Sequence, residues 1–99
     1  MKINLDFKFK KLNGEWFHRP EDSEDLSLRT VCVEALLGNY QDERIEGAEK
    51  LLRYKLAMKI FHAGDEVELS AEEIVLVKKL IAKMFSVLVT GQAWEYIES

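Results

Sequence analysis

Residues 47 to 63, GAEKLLRYKLAMKIFHA, carry apolar side chains at helical spacing on two sides at once. On a 100° wheel Leu51, Tyr54, Met58 and Phe61 form one stripe, while Leu52, Leu56 and Ile60 form a second on the far side. Lys55, Lys59 and His62 separate the stripes on one flank, Lys50 and Arg53 on the other. A helix lying on the surface of a domain needs one apolar stripe, about 100° wide or somewhat more. A segment with two must be covered twice, so either the chain wraps it from both sides or another chain supplies one cover.

The neighbouring segments have clearer ends. Ser70-Ala71-Glu72-Glu73 fits a capping box, in which serine and glutamate each satisfy the other's orphan backbone amide. The helix it opens runs to about Val89, and Ile74, Leu76, Val77, Leu80, Ile81, Met84, Phe85, Val87 and Leu88 cover half of its cylinder. Thr90-Gly91 ends or kinks it, and residues 93–97 make one last amphipathic turn carrying Trp94 and Tyr96. Upstream, Ser27 is placed to cap a helix over about 28–37, with Leu28, Val31, Cys32, Ala35 and Leu36 on one face. Gly38 sits where a left-handed residue ends that helix, and Gly64 closes the helix over 47–63.

The amino-terminal stretch follows a different period. Ile3, Leu5, Phe7 and Phe9 alternate with polar residues, one face of a strand, and Asn13-Gly14 supplies the positive-φ positions of a tight turn. The reading is a β-hairpin over 2–18, with Glu15 to His18 pairing back and the four apolar side chains forming the floor under one of the two longer helices. The lysines between them blunt the free edge. Arg19 to Asp25 is a loop, and Val67 with Leu69 can add a short third strand. The fold class is therefore α+β: a single domain over 1–99, an N-terminal hairpin packed on three helices.

Composition bounds the function. The chain has 99 residues, 47% hydrophobic and 32% charged, enough for one modest core. The longest uncharged run, Met84 to Trp94, is about half of the roughly 20 residues that a membrane span needs. The N-terminus lacks a secretory leader pattern, and one cysteine, Cys32, agrees with a reducing compartment, so a cytoplasmic location is expected. The net charge of −4 opposes obligatory nucleic-acid binding. Charge falls in blocks: basic at 2–11 and 50–62, acidic at 15–25 and 65–73, a pattern that commonly pairs across a fold.

Catalytic chemistry finds no motif. His18, Cys32 and His62 share no metal-ligand spacing. The stretch from Asp42 to Gly47 resembles the start of a calcium loop, but Arg44 and Arg53 occupy two of its ligand positions. Cys32 lies on a core stripe with no glycine-rich elbow around it, and no phosphate loop or dinucleotide fingerprint is present. No enzyme, cofactor or metal is expected. Two binding readings remain. In one, Lys50, Arg53, Lys55 and Lys59, or Lys78, Lys79 and Lys83, contact phosphates of a nucleic acid. In the other, favoured here, surplus apolar surface meets protein, as a homo-oligomer or with another chain. Its contact residues are Leu52, Leu56 and Ile60, with Met84, Phe85, Trp94 and Tyr96 as an anchor cluster. The acidic 65–73 segment is a second candidate docking face.

LSLRTVCVEALL, EGAEKLLRYKLAMKI, VELSAEEIVLVKKLIAK and LVTGQAWEYIE, in that order, resemble a family of small proteins encoded by tailed bacteriophages and prophages and described as of unknown function. The resemblance spans Met1 to Glu98 and rests on caps and core stripes. It implies a viral protein in the bacterial cytoplasm that binds virion-assembly components or host machinery.

Overall fold

The computed structural model describes residues 1–99 and holds, in chain order, β1 (Lys2–Asn4), α1 (Leu28–Leu37), α2 (Gly47–His62), β2 (Glu66–Glu68), α3 (Ala71–Met84) and α4 (Val87–Glu98). The class is α+β, with a two-stranded antiparallel sheet in which Ile3 stands opposite Val67.

The strand expected as a third is thus the partner of the first, and the long hairpin over 2–18 is corrected to a short one. Only residues 9–17 fold back on themselves: Lys10 bridges Trp16, the Phe17 amide donates to the Phe9 carbonyl at 2.9 Å, and Gly14 turns the chain at φ +90°. A hairpin centred on Asn13-Gly14 would have to pair residues 2–6 with 20–24, where Pro20 lacks an amide and the acids Glu21, Asp22 and Glu24 favour water. The intervening residues take another partner. The Leu28 amide donates to the Phe7 carbonyl at 2.8 Å and the Arg29 amide to the Leu5 carbonyl at 3.2 Å, so extended chain satisfies first-turn donors that a helix leaves orphaned. Ser27 accepts from the Thr30 amide and caps the same turn.

This docking places α1, the shortest helix, at the centre. It packs on α2 and on α3, and Leu28, Val31, Cys32, Ala35 and Leu36 are all buried. Around them lie Ile3, Leu5 and Phe9, Leu56 and Ile60 of α2, Val77, Leu80 and Ile81 of α3, and Val89, Ala93 and Ile97 of α4. Phe7 is half-buried, stacked on Tyr96 with centroids 4.2 Å apart, so the N-terminal floor rests on α1 and α4.

Two glycine assignments are also corrected. Gly38 has φ −69°, not a left-handed value, and its missing side chain instead admits the Met84 methyl and the Tyr40 ring. The end of α2 is closed not by Gly64 but by Arg29, whose guanidinium donates to the carbonyls of Ile60 (2.8 Å), Phe61 (3.2 Å), Ala63 (2.7 Å) and Gly64 (2.5 Å). A cation is favourable there because the last carbonyls carry the negative end of the helix dipole.

The capping box at Ser70 and Glu73 opens α3 as expected, but the helix does not run on to Val89. Phe85 is extended (ψ 162°), Ser86 accepts from the Val89 amide, and α4 begins at Val87, so Thr90-Gly91 lies inside a helix instead of ending one. The break lets α4 fold back over α3 and bury Val89, Ala93 and Ile97. The Trp94 indole donates to the Lys78 carbonyl at 3.1 Å and locks the return.

Candidate protein-binding face

Of the two stripes on α2, the structure buries one and leaves the other open. Leu56 is 4% exposed and Ile60 0%, so their assignment to an outward contact surface is overturned: they meet α1 and the core. Leu52, their wheel neighbour, is 53% exposed and stands apart. On the opposite stripe Leu51 (52%), Tyr54 (53%), Met58 (41%) and Phe61 (58%) all face solvent. α1 extends this face with Leu37, exposed, and Val33, half-buried. Val33, Leu37, Tyr54, Ala57, Met58 and Phe61 line a shallow groove of about 180 Å³ whose walls are wholly apolar.

Two of the three residues expected on the outward stripe are thus inward, and most of the open apolar surface of α2 lies on the other stripe. Neighbouring side chains decide the choice. Leu56 and Ile60 fall on the same side as Arg53 and Ala57 on the wheel, and α1 covers that side. Val33 and Leu37, the two apolar residues of α1 outside its core stripe, are the available signal for an outward face.

The expected aromatic cluster is largely consumed internally. Trp94 is half-buried under the Lys78 ammonium, which lies 4.5 Å from its ring, and Tyr96 stacks on Phe7. Phe85 is half-buried, while Met84 keeps 40% of its surface and reaches across to Gly38.

The basic residues expected to contact phosphates are mostly engaged with carboxylates. Arg53, 4% exposed, donates through both terminal nitrogens to Glu43 (2.9 and 3.0 Å) and through Nε to Glu49 (3.0 Å). This fork geometry holds the Glu43 carboxyl down at about 2, chiefly through the Arg53 hydrogen bonds. Lys83 pairs with Asp42 at 3.0 Å and Glu43 at 3.5 Å, which raises its pKa, and Lys79 lies 4.0 Å from Glu43. Lys78 pairs with Glu98 and Lys59 with Glu73 at 3.6 Å. Lys50 and Lys55 are exposed.

Candidate nucleophiles and ligands stay apart. Cys32 is buried, and burial pushes its thiol up to about 12, so it is protonated at neutral pH. His18 and His62 are exposed, and His62 packs edge-on to Phe61. No group of three or more His, Cys, Asp or Glu is placed to hold a metal ion. A larger concavity of about 300 Å³ beside Arg19 is polar, and two of its carboxylates already grip that guanidinium: Glu34 at 2.7 Å through both oxygens and Asp22 at 2.7 Å. The acidic stretch at 65–73 is used in β2, in the capping box and in a bond from the Met1 ammonium to Glu68. No helix is long and apolar enough to cross a membrane.

No protein-family model, curated protein or solved structure matches the chain. The apolar face gathers on two neighbouring helices several large side chains that the fold leaves uncovered.

Proposed function

We propose that this chain acts by binding protein, not by catalysis, and that the contact surface is the α1/α2 face carrying Leu37, Leu51, Tyr54, Met58 and Phe61. The observation that carries the reading is the exposure of five large apolar side chains on two helices packed against each other. Scattered single apolar residues are ordinary on a protein surface, whereas a contiguous patch rimmed by charge marks a contact site. Tyr, Phe and Met are also the residue types enriched where interfaces are fully desolvated. The resemblance to small proteins of tailed phages and prophages supports a role in the bacterial cytoplasm, either in virion assembly or in redirecting host machinery.

A photo-reactive amino acid at position 58, introduced into the chain in the cell that makes it, tests the proposal. Protein adducts are expected at position 58 and not at Val75, which is 66% exposed on α3 and serves as a control. Equal adducts at both positions, or none at 58, would remove the reading. The alternative, a nucleic-acid-binding protein using Lys50, Arg53, Lys78, Lys79 and Lys83, calls for salt-dependent retention on immobilised DNA. Ion pairing of four of these five within the fold argues against it.

A further inference from the structure

The charges bordering the apolar face are arranged with opposite signs on its two edges. Beyond Val33 and Leu37 on the α1 wheel come Thr30 and Glu34, and these border a cleft lined by Asp22, Glu24 and Asp25, with Arg19 as the one base. Beyond Leu51 and Met58 on the α2 wheel come Lys55, His62 and Lys59; Lys59 pairs with Glu73 of α3 at 3.6 Å, and Lys55 is the free cation of this edge. The face therefore runs acid, apolar, base across its width. Its apolar centre, from Leu51 to Phe61, extends about 15 Å along α2.

A second copy of the chain carries the complement of this pattern. In a two-fold contact each residue meets its counterpart through the same operation, so a surface must be complementary to itself. A two-fold axis running along the stripe turns one copy over sideways: the acidic edge of each copy then lies over the basic edge of the other, twice, with apolar centre against apolar centre. An axis running across the stripe sets acid over acid and base over base, which is repulsive. We propose that a second copy of this chain covers the face in the first arrangement, with the axis over the α1/α2 groove midway between the charged edges, so that the two α2 helices run in the same direction and Tyr54 and Phe61, on the groove side of the stripe, each approach their own counterparts. This rests on the reading of the face as a protein-binding surface, and it specifies the partner.

Orientation makes the proposal testable with single cysteines. Cys32 is buried and stays silent in such an experiment. In the full-length protein, Tyr54→Cys and Phe61→Cys, each alone, are expected to form disulfide-linked pairs under mild oxidation, because each thiol meets itself. An arrangement with opposed helices would instead link the two variants to each other when mixed and neither to itself, and that result overturns the proposal. Sedimentation should give twice the 11.5 kDa chain mass for the native protein and the single mass for Met58→Asp. Met58 is on the surface, so the variant should keep its helical circular dichroism. Lys55→Glu should raise the dimer dissociation constant about tenfold and remove much of its salt dependence. A native protein that stays at single mass at the highest attainable concentration overturns self-association. Heavier adducts at position 58 in the cell would in that case still support binding to a different protein, so the two readings fail separately.

Discussion

Arg53 joins the loop before α2 to the helix itself. It is nearly fully buried, and its side-chain hydrogen bonds go to Glu43 and Glu49. Removing one partner of such a pair leaves the other charge in a site built for two, so Arg53→Ala should cost about 3 kcal/mol, read as a fall in the denaturation midpoint. The pH dependence has a definite sign. Glu43 titrates at about 2 in the folded chain against an ordinary 4.5, so its stabilising effect is complete above 4.5 and is lost as pH falls from there towards 2. Acid titration of Glu43→Gln, followed by circular dichroism, should show a shallower loss of stability over that window than the native chain. Arg53 is the one arginine among the bases of residues 50–62 and shares the Leu56 and Ile60 side of the wheel, but the sequence does not name its partner. Its role depends on Glu43, ten residues earlier in a stretch without regular structure, meeting it across a turn.

At the level of elements, caps decide where the helices end, and not all of them are local. Arg29 closes α2 from α1, across more than thirty residues of chain. Arg29→Met keeps much of the stem and removes the donors; it should cost about 2 kcal/mol, with faster amide exchange in the last turn of α2 than in the first. Ser86→Ala removes the α4 cap and should lower stability by about 1 kcal/mol in thermal denaturation. Strongly periodic segments are legible: α1 over 28–37 and α3, each with a side-chain cap beside it, start where the sequence places them, and α2 starts at Gly47 on its periodicity alone, with no side chain capping that end. The α3–α4 break is not, because apolar residues recur at helical spacing straight through Phe85 and Ser86, and a serine with no acid three positions on is a weak stop signal. The N-terminal alternation correctly marks an extended chain with one buried face. It does not say which partner each part takes, since period two reports faces and not neighbours.

At the scale of the whole molecule, the surplus of apolar surface can be read from the order of the residues, but the side on which it lies cannot. A wheel finds both stripes of α2 and weights them equally; only the position of α1 decides that Leu56 and Ile60 go inward and Met58 and Phe61 outward. The carboxyl-terminal aromatics mislead for a related reason. Their partners, Phe7 and the Lys78 carbonyl, lie far away in the chain.

One such distant contact ties an early segment to a late one. The Gln92 side-chain amide accepts from the Lys10 amide at 3.0 Å and donates to the Lys10 carbonyl at 2.8 Å, taking the place of a missing strand at the edge of the 9–17 hairpin. During synthesis that ribbon leaves the ribosome long before its clasp exists. A nascent chain arrested with α4 still inside the exit tunnel should be cut by protease near Lys10 and Lys11, and one arrested with α4 outside it should resist, so this early ribbon is fixed only after the late helix emerges.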